Sequence, residues 1–266
     1  MAIIALNTAA SGMDSMQFKL DVIANNMANA QTTAFKSSRV NFEDLYYQNF
    51  KLPGNLDQLG RPTAIGLARG LGVRVQSTEL NMEQGSLLDT GRPLDVAIVG
   101  QGFFQVNDGN RFLYTRAGNF AVNANGEIVV ASADRGRPLE PSINIPQDTL
   151  EIQISSDGIV SVLQAGQSQL TQIGQLQLAR FINPQGLVQM GENLYSDSVG
   201  SGTPLISTPG QDGLGTLRQR YLEASNVEPV REIVDLITTQ RTYELNSQVV
   251  QVADQTLQLI ANLRRF

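Results

Sequence analysis

Residues 1–30 read MAIIALNTAASGMDSMQFKLDVIANNMANA, with apolar side chains at Ile3, Leu6, Ala10, Met13, Leu20, Ala24 and Met27 and one polar member, Gln17, in the same series. The steps alternate between three and four residues, the spacing of a helix with one narrow apolar seam. The stretch therefore predicts a helix. Gly12 weakens it by up to about 1 kcal/mol. Asn25, Asn26 and Asn29 mark its end, because asparagine tolerates the left-handed backbone that stops a helix.

Working outward, residues 225–266 at the opposite end carry the same signal. Ser225 and Glu228 have the S-x-x-E spacing of a capping box. Pro229 follows, where a first helical turn loses nothing by the missing N–H. Apolar side chains then fall at Val230, Ile233, Ile237, Tyr243, Val250, Ala253, Leu257 and Ile260, thinned by a polar stretch from Glu244 to Ser247. Arg264 and Arg265 suit the negative end of the helix dipole. Each seam takes about two positions in seven, whereas a helix facing a globular core takes about three. A soluble bundle core is the plain explanation. The narrow seams, and their placement at opposite chain ends with no local partner, favour packing of the two helices against each other and against copies of themselves. Leu6, Met13, Leu20, Met27, Ile237, Tyr243, Val250, Leu257 and Ile260 are the candidate interface side chains.

Between the helices the period changes to two. Asp108-Gly109, Asn125-Gly126, Asp157-Gly158 and Asp212-Gly213 are hairpin-type dipeptides. Apolar runs lie beside them at 94–99, 103–106, 120–122, 128–130, 150–154, 159–163 and 173–181. These predict short strands of an all-β module over 95–205. Residues 46–72 are rich in Tyr, Gln, Gly, Pro and Arg, and predict an extended loop or a long hairpin. The expected class is α+β, with a discontinuous helical coiled-coil domain from both termini and a central all-β domain.

Composition removes several function classes. The chain holds no Cys, His or Trp, so disulfides, Cys/His zinc sites, His general bases and Ser-His-Asp triads are excluded. Its 25 Asp and Glu outnumber 19 Lys and Arg, a formal charge of −6, and no basic stripe exists to bind nucleic acid or an anionic membrane. No stretch approaches 18 apolar residues. The N-terminus lacks a basic leader, and Asn7, Thr8, Ser11 and Asp14 interrupt its apolar character, so a secretory signal is not expected.

The glycines of GLARGLG (66–72) and GQGFF (100–104) match neither phosphate-binding pattern and read as turns and bulges. Glu43, Asp44, Asp95, Asp134 and Asp157 form no EF-hand loop. Two of the chain's carboxylates could still meet through the fold as a hydrolase pair, and a β-domain binding module or carboxylate-based hydrolase is the reading from another class. No cofactor, metal or small-molecule substrate is expected.

Residues 24–36, ANNMANAQTTAFK, supply Ala24, Asn25, Asn26, Met27, Ala28, Asn29, Thr32, Phe35 and Lys36 to the pattern A-N-N-hydrophobic-A-N-x-x-T-x-x-[FY]-[KR]. That pattern resembles the signature of the flagellar basal-body rod and hook proteins. Ala34 stands where the family commonly has Gly. GQGFFQV (100–106), YTRAGNFAVNANGEIV (114–129), GENLY (191–195), YLEASNV (221–227) and QRTYELNSQ (240–248) are similar to further family segments in the same order, so the resemblance covers nearly the whole chain. The segment Tyr46–Arg69 resembles an insertion of the distal-rod members. A proximal rod or hook subunit is the alternative within the family.

The resemblance implies an architecture and a role. Helices 1–30 and 225–266 would form an inner coiled coil around a hollow axis, and 95–205 an outer β domain. Residues 31–94, with the extended loop 46–69, and 206–224 would connect them. The subunit would be a structural, non-enzymatic part of the distal rod, transmitting torque from motor to hook. Its partners would be further copies of itself in a helical homopolymer, the proximal rod, hook and ring proteins, and the type III export apparatus. The localisation implied is the periplasm-spanning rod of the basal body, reached without a cleaved signal. Asn25, Asn26, Asn29, Thr32 and Phe35 would cap the helix locally or meet a neighbouring subunit. Tyr46, Tyr47, Phe50, Pro53 and Arg61 would carry the stiffening role of the loop.

Overall fold

A computed structural model describes residues 2–56, 61–109, 111–133, 135–167 and 169–263, with helix side chains described from residue 4 to residue 262. The expectations placed on the Ile3 side chain, on residues 57–60 of the 46–72 stretch, and on Asp134, Arg264 and Arg265 lie outside the described residues. The chain divides into two compact units. Unit one comprises residues 1–28, 38–79 and 228–266, and unit two comprises 29–37 and 80–227.

Unit one contains the two long helices, α1 (Ala2–Ala28) and α2 (Pro229–Leu263), which pack on each other. Two features fix their pairing. A side chain on Gly12 would meet the Asn246 amide at 2.9 Å, and Asn26 bonds Glu232 at 3.2 Å. Partner numbers fall along α2 as they rise along α1, so the helices are antiparallel. The remainder of unit one is β. Ser38–Asp44 pairs with Val73–Leu80, and Tyr47–Lys51 pairs antiparallel with Leu67–Gly70 from Tyr47 opposite Gly70. The stretch 46–72 is thus a long hairpin. Gly72 closes it with φ +129, and a Cβ there would lie 2.3 Å from the Ser11 hydroxyl of α1. Only glycine permits that approach.

The capping-box expectation fails. The Ser225 hydroxyl accepts the Val227 N–H at 3.3 Å, so it is spent in a local turn. The helix begins instead at Pro229, and the Glu232 N–H donates to Glu228 O at 3.1 Å as an opening i→i−4 bond.

Unit two is built from short strands. A seven-stranded sheet runs in the order Val188–Gly191, Leu194–Ser196, Phe112–Thr115, Phe103–Asn107, Leu178–Arg180, Leu205–Ser207, with Leu139–Glu140 also paired to Phe103–Asn107. A three-stranded sheet joins Thr149–Ile154, Ile159–Gln164 and Thr171–Gln175. Smaller pairs are Phe120–Val122 with Ile128–Val130, Val96–Val99 with Thr216–Gln219, and Leu87–Asp89 with Tyr221–Glu223. One apolar cluster centres on Val96, Ile98, Phe104, Phe120, Val160 and Leu178. A second, aromatic cluster holds Phe103, Tyr114, Phe181 and Tyr195.

Three of the four predicted turns join paired strands. Asp212-Gly213 does not, because Leu205–Ser207 pairs with Leu178–Arg180 while Thr216–Gln219 pairs with Val96–Val99. The apolar run 173–181 likewise divides between two sheets.

Candidate assembly interface

On α1 the buried side chains are Ala9, Ser15, Ile23 and Asn26, with Gly12 buried among them. Several are small or polar, so the backbone of α1 approaches its neighbours closely along this line. The predicted positions Met13 and Met27 lie one residue further on, as do Ala10 and Ala24, which turns them about 100° around the helix. Leu6, Met13, Leu20 and Met27 are half-buried in the single chain. On α2, Thr239 and Ala253 are buried, and Glu232, Leu236, Asn246, Val250 and Leu257 are half-buried at steps of three, four and seven. Val250 and Leu257 thus fall on the covered face, with Tyr243 at its margin. Ile237 and Ile260 are exposed, together with Val230, Ile233, Val234, Leu245, Val249, Val252 and Leu259. A helix apolar on this much of its circumference is covered on only one side by α1.

The signature segment divides between the units. Asn25 is exposed at the end of α1. Asn26, in unit one, is 2% exposed. Its Oδ1 accepts the Ser38 N–H at 3.0 Å, and its Nδ2 donates to Ser38 O at 2.9 Å and to Glu232 Oε1 at 3.2 Å. The side chain therefore serves the following strand and the partner helix. Burial pushes the Glu232 carboxyl above the usual range, the nearby Asp235 adds to this, and the Asn26 amide opposes it.

In unit two, Asn29 closes a local turn. Its O accepts the Thr32 N–H at 3.1 Å, and its Oδ1 accepts the Thr32 hydroxyl at 3.0 Å. Ala34 adopts φ 56, so alanine takes the left-handed backbone that the family's common glycine would take. Phe35 is half-buried and donates its N–H to Thr32 O at 3.2 Å.

Lys36, the last residue of the signature, is fully buried at 0% exposed. Its Nζ donates to Glu223 Oε1 and to Glu83 O, each at 2.6 Å. Arg116 Nε donates to Glu223 Oε2 at 3.0 Å, and its Nη2 to Gly100 O at 2.6 Å. The Gly85 N–H completes the carboxylate at 3.0 Å. Burial lowers the Lys36 ammonium below its ordinary range, against the pull of Glu223. Sequence reasoning could have noticed that Lys36, Arg116 and Glu223 each sit inside a quoted family segment. Nothing local pairs them across 187 positions.

The hairpin 46–72 exposes its aromatic and aliphatic side chains. Tyr46 is 81% and Ile65 85% exposed, and Tyr47, Phe50, Leu52, Leu56 and Leu67 are exposed as well. Pro53 and Arg61 are exposed near the tip. The Arg69 guanidinium lies 5.0 Å over the Phe50 ring, and a Cβ on Gly66 would sit 2.6 Å from Lys51 O.

Unit two also has an open cavity of about 420 Å³, lined by Val122, Ile145, Leu150, Ile152 and Arg220 with Glu151 as its carboxylate. Among the described residues no cluster of acidic side chains could hold a metal ion, and no helix is long and apolar enough to cross a membrane.

Three family patterns match the chain: flagella basal body rod protein over residues 6–36, the flagellar hook protein FlgE/F/G D1 domain over 97–162, and the C-terminal part of flagellar basal body rod FlgEFG proteins over 218–263. The flagellar basal-body rod protein FlgG of Buchnera aphidicola is 46% identical over 255 residues, 95% of this chain and 96% of that one. FlgG of Caulobacter vibrioides is 44% identical over 262 residues, covering 98% and 99%. The flagellar hook-basal body complex protein FlhP of Bacillus subtilis also aligns nearly end to end, but at 32% identity. Shared length therefore does not separate these relatives. With this much identity along both whole chains, the chain belongs to the flagellar basal-body rod protein family that includes FlgG.

Proposed function

We propose that the chain is a structural subunit of the flagellar distal rod, which polymerises with copies of itself and transmits torque from motor to hook. The observation that carries this is the exposed apolar surface of α2, from Val230 to Ile260, on a helix that α1 covers on one side. Such a surface is stable in water only when neighbours cover it. Heterologous contacts between copies extend without closing and build a filament. The threonines of α2 suit this use. Thr238, Thr242 and Thr256 donate their hydroxyls to carbonyls of their own helix at 2.8–3.0 Å, leaving methyl groups for an apolar interface. Terminal helices of neighbouring subunits would form the coiled-coil core, with the half-buried Leu6, Met13, Leu20 and Met27 of α1 covered further by a neighbour. The outer β domain and the exposed hairpin would brace adjacent subunits, with Tyr46, Tyr47 and Phe50 as contacts. The proximal rod, hook, ring proteins and export apparatus are its further partners in this reading.

The test is polymerisation of the purified full chain, followed by sedimentation and electron microscopy. Leu20→Asp and Leu245→Asp each place an unpaired charge in the proposed interface, at a cost of several kcal/mol per contact. Both should abolish rods while the thermal transition of unit two stays where it is. Normal rods from both variants would remove the helix-mediated assembly.

A further inference from the structure

Residues 29–37 lie in unit two, held mainly by residues 221–226. The Ala34 N–H donates to Glu223 O at 2.8 Å, the Asn226 N–H to Phe35 O at 3.3 Å, and the Ser37 N–H to Asn226 Oδ1 at 2.8 Å. Asn226 Nδ2 in turn donates to Asn81 O at 2.8 Å and Glu83 O at 3.2 Å. These are the residues that receive Ser37 and Lys36 from the other side, through Asn81 N–H to Ser37 O at 2.8 Å and Lys36 Nζ to Glu83 O. At the centre, two cations share one carboxylate, and none of the three side chains is more than 4% exposed.

We propose that residues 29–37 are a latch whose closure is conditional on Glu223: the strand Tyr221–Glu223 docks first, and only its carboxylate admits Lys36 to the interior. The asymmetry is built into the contacts. Without Glu223, Lys36 would be a buried ammonium with carbonyl contact alone, which costs several kcal/mol. The segment must then leave or draw the lysine into water. Glu223 has no such dependence on Lys36. It keeps Arg116 and the Gly85 N–H, and its strand keeps its pairing with Leu87–Asp89. Lys36 is the surplus cation of the cluster, in agreement with its lowered proton affinity. The segment that follows the N-terminal helix is therefore fixed only in a chain whose strand 221–223 is in place. The latch rests on contacts within one chain and is independent of the rod reading.

Hydrogen exchange on the full-length protein, resolved at 29–37 and at 221–224, tests it. Glu223→Gln should lower protection at 29–37 by about tenfold or more. Lys36→Met should leave 221–224, whose strand pairs with Leu87–Asp89, within about twofold of wild type. The double variant Lys36→Met/Glu223→Gln, which no longer asks a charge to enter, should regain protection at 29–37 relative to Glu223→Gln. Unchanged protection at 29–37 in Glu223→Gln would overturn the latch, as would a double variant no better than Glu223→Gln. If Glu223→Gln unfolds unit two altogether, Lys36→Met decides: equal loosening of both segments refutes the order, and loosening confined to 29–37 or to neither supports it.

Discussion

Replacing Asn26 by Ala tests how the end of α1 is held. Asn26 makes two hydrogen bonds to the backbone of Ser38, at 2.9 and 3.0 Å, and one to the Glu232 carboxylate at 3.2 Å. Neutral bonds contribute about 1 kcal/mol each and a bond to a charged group about 1.5 or more. The residue is 2% exposed, so water does not readily replace the lost partners. The expected loss is about 3 to 4 kcal/mol, confined to unit one. Asn26→Asp is the sharper control. Its carboxylate can still accept the Ser38 N–H, but it cannot donate to Ser38 O or Glu232, and it sets a second negative charge beside a carboxyl whose pKa burial already raises. That variant should be worse than Asn26→Ala at pH 7 and should recover as the pH falls and the carboxyls protonate. Denaturant unfolding, with far-ultraviolet circular dichroism for the helices and amide hydrogen exchange for the strands of unit two, measures both. An Asn26→Ala protein whose helices unfold within about 0.5 kcal/mol of wild type would refute this account of the signature asparagine.

The buried tyrosines of unit two give an alkaline limit. Burial raises the Tyr195 hydroxyl from 10.0 to about 12, and raises Tyr114 as well. The stability they contribute is present below pH 10 and is lost as the pH rises through 12, about 3 kcal/mol for Tyr195 alone. Lys36 acts oppositely, since its lowered value makes stability rise with pH up to 10.5. Denaturant melts from pH 9 to pH 12 should weaken only above about 10, and titration of both tyrosines near 10 in an intact fold would contradict the burial argument. Deletion of residues 46–69 should leave unit two folded, because the hairpin belongs to unit one, and should yield a rod that bends in electron micrographs. Rods as straight as wild type would remove the stiffening role.

Periodicity along the chain determined the two helices and the short strands between them, because each depends on residues within a few positions of one another, whereas the composition of 46–72 left an extended loop and a long hairpin both open. The family signature located the segment that leaves α1. Three turns followed from Asp-Gly or Asn-Gly alone, since a tight turn is a local backbone matter. The capping box failed for a related reason: a serine followed by a glutamate is equally consistent with a turn, and Ser225 spends its hydroxyl on Val227.

Tertiary structure decided which face of each helix is covered. Sequence hydropathy pointed to Met13 and Met27, yet the chain buries Gly12 and Asn26. Small residues let helices approach, and a buried amide with its hydrogen bonds made costs little. Tertiary structure also decided the strand pairing of Val96–Val99 with Thr216–Gln219 and the meeting of Lys36 with Glu223. A lysine, an arginine and a glutamate far apart in sequence look like solvated surface until the fold removes their water. Their worth then depends on distances that no local pattern encodes.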